Sequence, residues 1–307
     1  MEWHKLLDEA TQTLNLKIES YCEKLNGKES PRYFHANCSD SMGDLWRLKV
    51  ANISKSHDEV NSIGNCLCYN NLVHPIIVGF PNLRPIVRIP RFFPIPNQYL
   101  RSLACSELLE LHKPGVEDIP LLIRKLLDLQ GKDISKEIRS RAMQTQINKY
   151  NRDQCRCRLV RDSGNSLLER QLLSKNELDY IAGKFDNLYP SSLPEESLTL
   201  VHGDFAFGNL TLLDDHELGL IDFEHTHIGS GLTDLAHLYV NLRSDGDDEN
   251  AKMLISTYEK EIEQRGARFN NSTFDALVLE RAAGKLNSMK QTNSEKVDRL
   301  KVLLLEQ

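Results

Sequence analysis

Between Leu200 and Leu210 the chain reads LVHGDFAFGNL, which sets His202, Gly203 and Asp204 in a row and places Asn209 five residues after the acid. The apolar run that leads in, LTLV, has the pattern of a strand that hands Asp204 to a loop. Beyond it, NLTLLDDHELGLIDFE puts Leu210 and Leu212 on one side of a polar turn and Leu218 and Leu220 on the other, which predicts a β-hairpin centred between Asp214 and Glu217. In a symmetric hairpin Asn209 and Asp222 lie opposite each other with side chains on one face. Asp204 can reach the same open end from the preceding loop.

An amide oxygen beside a carboxylate suits a hard cation such as Mg²⁺, which accepts few protein ligands and takes its other oxygens from phosphate and water. A second carboxylate, not consumed as a ligand, is available to orient a hydroxyl. Those are the parts that phosphoryl transfer requires: a metal that holds phosphate oxygens in line and an acid at the nucleophile.

His202-Gly203-Asp204 with Asn209, followed by Ile221-Asp222-Phe223-Glu224, resembles the catalytic loop and metal-binding segment of the aminoglycoside phosphotransferase and choline kinase family, distant relatives of the protein kinases. The resemblance implies a two-lobed, protein-kinase-like α+β fold with its active site between the lobes. It makes Asp204 the catalytic base, and Asn209 and Asp222 the ligands of a magnesium ion that arrives with ATP. His202 is then expected to hold the loop backbone in shape, although a core histidine is the rival account. In GSGLTDLAHLY the resemblance makes Asp234 a brace for the catalytic loop, against the plain alternative of an acid in the first turn of a helix. The likeness runs from about Arg32 to Tyr239, but specific motifs are confined to Leu200 through Leu238.

A kinase of this type needs a cation on the third strand of its small lobe and a helix acid to hold it. Lys49 in LWRLKVA and Glu59 ten residues later fit those roles, while Ser56 to Glu59 also reads as a helix capping box. Arg47 shares a strand face with Lys49, where the kinase pattern has a small residue under adenine; it is expected either to turn toward phosphate or to mark a departure from the family. The turn SDSMGD carries one glycine, so Ser39, Ser41 and backbone amides are its only means of covering phosphate. By position, Arg88 to Phe92 would form the hinge to adenine.

Asp-Phe-Glu is similar to the choline and ethanolamine kinase version of the metal segment, whereas His-Gly-Asp and Thr-Asp-Leu-Ala are closer to aminoglycoside phosphotransferases. The acidic run Asp245 to Glu249 adds Asp245 and Asp247, with Glu224, as candidate contacts to a cationic amine or amino sugar; a solvated loop is the other account of that run. Two rival classes use the same residues. His202, Asp204, Asp222, Glu224, His225 and His227 can be read as ligands of a metal-dependent phosphohydrolase, which leaves Asn209 and Lys49 without a role. A kinase fold that has lost catalysis and only binds is the second, although the base and both metal ligands are present. A protein kinase fits less well, because the stretch after Asp222 has no A-P-E segment.

These residues need a scaffold. Residues 1–96 are expected to form the nucleotide-binding lobe, with a leading helix from about Trp3 to Leu25, a strand, turn and strand over PRYFHANCSDSMGDLWRLKVA, a helix near Val60 to Leu67 and a strand at RPIVRI. Residues 97–307 are expected to be helical, with stripes at Leu100 to Leu111, in IPLLIRKLLDL and in SLLERQLLSKNELDYIAGKF. Between Lys132 and Arg161 nine basic residues face three acids, read as a solvated helix face more readily than a phosphate site. A formal net charge of -6 argues against nucleic acid and anionic membranes as partners. Seven cysteines without a framework fit reduced thiols and a cytoplasmic protein, the opening MEWHKLLDEATQ lacks a signal-peptide pattern, and no apolar run is long enough for a membrane span. The partners expected are ATP and a small hydroxyl-bearing acceptor; the oligomeric state is not legible.

Overall fold

The computed structural model describes residues 11–12, 15–21, 33–39, 41–43, 45–51, 106–107, 114–130, 151–194, 197–212, 218–220, 225, 227–289 and 293–306. The chain forms two compact units, Met1–His112 with Thr211–His225, and Lys113–Leu210 with Thr226–Gln307. A small N-terminal unit built on a sheet and a larger helical C-terminal unit are the organisation of a protein-kinase-like fold. The boundary expected near Pro96 falls outside the described residues, as do the helix near Val60, the strand at RPIVRI and the proposed hinge.

In the first unit, strands β1 (Lys17–Tyr21), β2 (Tyr33–Ser39), β3 (Leu45–Ala51) and β4 (Ser106–Glu107) pair in that order. β2 and β3 are antiparallel in unbroken register from Tyr33↔Ala51 to Ser39↔Leu45, so the predicted strand, turn and strand are present. The leading helix does not run on to Leu25 as expected. Thr11 and Gln12 are helical, Asn15 takes the left-handed conformation (φ 54°), and the Leu16 N–H bonds back to the Thr11 carbonyl at 2.9 Å. This is a helix C-terminal stop that asparagine tolerates better than most residues, and it leaves Lys17–Tyr21 to pair with β2. The helical stripe expected over Leu100 to Leu111 is likewise interrupted, since Ser106 and Glu107 pair with Arg47 and Trp46 of β3.

The second unit is helical: α1 (Ile119–Leu129), α2 (Arg152–Cys157), α3 (Asn165–Glu169), α4 (Lys175–Leu188), α5 (Leu232–Asp245), α6 (Asp248–Gln264), α7 (Asn271–Ser288) and α8 (Ser294–Leu305). A π-helical turn, Arg158–Gly164, joins α2 to α3. The single helix expected across SLLERQLLSKNELDYIAGKF is two. Gln171 adopts φ 56°, and Ser174 caps a new helix by accepting the Glu177 N–H at 3.3 Å while the Glu177 carboxylate takes the Ser174 N–H at 2.6 Å. That reciprocal pair is a capping box, and its S-x-x-E signature starts α4 where the leucine pattern alone runs on.

α7 lies at the centre of this unit, packed on α4, α5, α8 and the π turn. Leu277, Val278, Leu279, Ala282, Ala283 and Leu286 are buried, and a helix apolar on nearly every side belongs inside. At Gly164 an added Cβ would come within 2.7 Å of the Leu178 side chain, which would have to shift to admit it. A two-stranded sheet of β5 (Leu198–Val201) and β8 (His227–Ser230) runs antiparallel from Leu198↔Ser230 to Val201↔His227. The predicted hairpin appears as β6 (Leu210–Leu212) and β7 (Leu218–Leu220), which pair with each other.

Candidate functional site

β5 delivers the loop. Immediately after Val201, the N–H groups of His202 and Gly203 donate to the two carboxylate oxygens of Asp234, at 2.7 and 2.9 Å. Asp234 stands in the first turn of α5 and is 1% exposed. Burial pushes its pKa up, against the pull of His202, the two N–H bonds and Arg281. Gly203 has φ 85°, a left-handed conformation that turns the chain between the bracing acid and Asp204. His202 is buried, its Nδ1 accepts the Asp204 N–H at 3.3 Å, and its ring lies edge-on to Phe205. The histidine acceptor and the Asp234 carboxylate together take three successive N–H groups of the loop.

A short 3₁₀ turn, Phe207–Asn209, then folds the chain back. The Asn209 Nδ2 donates to the backbone oxygen of Asp204 at 2.8 Å and to its Oδ2 at 2.7 Å. One carboxylate oxygen is thereby fixed. Asp204 is about a third exposed, and its Oδ1 stands 3.4 Å from the Nε2 of His237. Burial, with Arg281 next, pushes the His237 imidazole down to about 3, so it is a neutral neighbour at physiological pH. Because Nδ2 is committed to Asp204, the amide oxygen of Asn209 is the end available to a cation, and amide and carboxylate oxygens are the donors that Mg²⁺ accepts.

Asp204 opens into a cavity of about 390 Å³ whose wall belongs to the helical unit. α7 contributes Glu280, Arg281, Lys285 and Ser288 at helical spacing, α5 contributes His237 and Asn241, and the π turn contributes Arg158. Glu280, 3% exposed, is held between the Nε of Arg158 at 3.2 Å and the Nε of Arg281 at 3.1 Å. Arg281 also donates to the Gly203 carbonyl at 3.3 Å, which ties this wall to the loop. Lys285 Nζ bonds the Asn241 amide oxygen.

Of the residues singled out in the sequence, His202, Asp204, Asn209 and Asp234 are brought together here. Asp222 and Glu224 lie outside the described residues, as does Glu59. Lys49 and Arg47 sit on β3, opposite His35 and Asn37, and Ser41 is exposed in the turn that follows β2. Asp245 and Asp247 have other partners: Asp245 accepts from Lys296 Nζ at 2.5 Å, and Asp247 caps α6 by accepting the Asn250 N–H at 3.3 Å. Of the basic stretch, residues 132–150 lie outside the described residues; beyond them Arg152 and Arg156 pair with Asp186 and Arg161 with Asp162, whereas Arg158 faces the buried Glu280. Among the described residues no group of three or more His, Cys, Asp or Glu converges as a metal site; Asp222 and Glu224 of the phosphohydrolase reading lie outside them.

Sequence reading missed His237, Glu280, Arg281 and Lys285. A signal was present: Arg281 and Lys285, one turn apart, follow Glu280 within the apolar run ALVLERAAGKL, and charges there need a reason.

Residues 137–269, which include the Asp204 loop and Asp234, match the family described as "APH: Phosphotransferase enzyme family". No curated protein matches the chain. Among solved structures it is similar to an amicoumacin kinase in complex with AMP-PNP, Ca²⁺ and Ami (14% identity over 100% of this chain and 94% of that one, TM-score 0.60). It is also similar to a macrolide 2'-phosphotransferase type I (16%, 98% and 96%, 0.58). A third is macrolide 2'-phosphotransferase MphH from Brachybacterium faecium (14%, 98% and 97%, 0.56). At such identities the likeness is one of fold, and the fold is the protein-kinase-like one. Nothing in these likenesses singles out a choline kinase. Among the described residues no helix is long and apolar enough to cross a membrane.

Proposed function

We propose that the protein transfers the γ-phosphate of ATP to a hydroxyl of a small molecule, with Asp204 as the catalytic base. The observation that carries this reading is the half-fixed carboxylate. Asn209 holds one oxygen of Asp204, the Asp234 clamp holds the loop behind it, and the carboxylate opens on a cavity large enough for a metabolite. In the reaction the acceptor oxygen forms a bond to Pγ, the bond from Pγ to the bridging oxygen of ADP breaks, and the hydroxyl proton passes to Asp204 and then to solvent.

Asn209 and Asp222 are the residues assigned to magnesium. When bound, that ion holds the phosphate oxygens in line and offsets their charge. Lys49, steadied by Glu59, is assigned to the ATP phosphates, with Ser41 and Arg47 beside it. These nucleotide contacts rest on the sequence pattern. Among acceptors, the aminoglycoside-, choline- or ethanolamine-like expectation leaned on the motif resemblance and on Glu224, Asp245 and Asp247; Glu224 lies outside the described residues, and Asp245 and Asp247 have local partners.

The test is steady-state ATP turnover with a panel of hydroxyl acceptors, comparing the native protein with Asp204→Asn. Loss of a general base lowers the rate by about 10²- to 10⁴-fold, with the circular dichroism spectrum unchanged. Equal rates for the two proteins would sink the assignment.

A further inference from the structure

The cavity beside Asp204 has a charge balance that a cationic acceptor does not match. Among the described residues three cations line it, Arg158, Arg281 and Lys285, against two acids, Asp204 and Glu280. Glu280 is already shared by both arginines. The side chain of Arg281 is 9% exposed, and its Nε, although near Glu280, makes no hydrogen bond. Among the described residues Lys285 Nζ bonds the neutral amide of Asn241, and Asp245, one of the acids acting on Lys285, is itself ion-paired with Lys296 at 2.5 Å. Burial lowers the Lys285 pKa despite Asp245 and Asp204, the sign of an ammonium whose counter-charge is incomplete. His237 adds no charge. A wall of this kind repels ammonium groups and rewards a ligand that brings an anion.

We propose that the acceptor is a hydroxylated anion, a polyol or hydroxy acid bearing a carboxylate or phosphate, and that Lys285 and Arg281 on α7 hold its charged group while its hydroxyl meets Asp204. This rests on the phosphotransfer reading. The cavity has room for a whole small metabolite rather than one phosphate group. Arg281 joins the two functions, since it lines the cavity and also holds the Gly203 carbonyl of the loop. Lys285 has no bond to that loop, which makes it the cleaner residue to test.

The experiment uses the intact chain with gluconate and 3-phosphoglycerate as anionic probes, glucosamine and choline as cationic ones, and glycerol as a neutral one. Titration calorimetry measures binding, and ATP turnover measures transfer. The anions are expected to bind in preference, and Lys285→Met to weaken them about 10- to 100-fold, the effect of losing one charge-assisted hydrogen bond. Lys285→Arg should restore most of the affinity, and KM for ATP should stay where it was. Preferential binding or phosphorylation of glucosamine or choline overturns the proposal. So does a Lys285→Met variant that raises KM for ATP instead, because the cation would then serve the nucleotide. Anion binding that depends on Lys285 with no transfer to any probe sustains the anion site and counts against the phosphotransfer reading; no binding by either anion overturns the site itself.

Discussion

At the scale of single residues, the geometry around Asp234 turns a helix acid into a clamp. Its two oxygens take the N–H groups of His202 and Gly203 inside the protein, where an unmet N–H has no water to turn to. Asp234→Ala is expected to cost about 2–5 kcal/mol, the sum of two orphaned buried donors, read as a fall in the urea midpoint. Transfer activity should fall with it, because Asp204 follows directly on the released loop. Asp234→Asn keeps the shape and one acceptor and should lose less; if the alanine variant is as stable as the native protein, the clamp has no energetic weight. His202, Asp204, Asn209 and Asp234 were legible because their spacing is local and their types are demanding. The cavity wall was not, since Arg158, His237 and Lys285 come from three elements that only packing brings together.

At the scale of elements, legibility followed the strength of the local signal. The β2 and β3 hairpin announced itself by alternation and a polar turn, and α1 by its apolar stripe. β1 and the break before α4 were missed because each depends on one residue in a left-handed conformation, Asn15 and Gln171, set in sequences that otherwise look helical. Ser174 decides where α4 begins, and removing its hydroxyl strips one N–H of its cap. Ser174→Ala should cost about 1 kcal/mol, measurable as a shift in thermal midpoint; no shift would mean that packing alone starts the helix. α2 gives a chemical test. Cys155 on α2 is 5% exposed, and burial pushes its thiol up to about 12. The thiolate is the reactive form, so Cys155 should resist iodoacetamide in the folded protein at pH 8 and react once urea unfolds it. Labelling of the native protein at this position, read by peptide mass, would contradict the buried placement.

At the scale of the whole molecule, a buried acid and a half-buried histidine beside the candidate site pull the pH dependence of stability in opposite directions. Asp234 has a raised pKa, so what it contributes is present in acid and lost as the pH rises through its folded value. His237 is lowered from 6.5 to about 3, so its contribution is present above 6.5 and lost as the pH falls, because the unfolded chain takes up a proton that the folded one refuses. Of the interval between pH 7 and pH 5, the part below 6.5 lies inside the histidine's window. The loss from this one group is about 1–2 kcal/mol, given that its side chain is 21% exposed and partly screened. Urea denaturation at pH 7 and pH 5 should therefore show a lower midpoint in acid for the native protein. His237→Gln cannot titrate and should flatten the difference. A native slope that survives this substitution would assign the acid sensitivity to other groups and remove the neutral imidazole beside Asp204 from the description of the site.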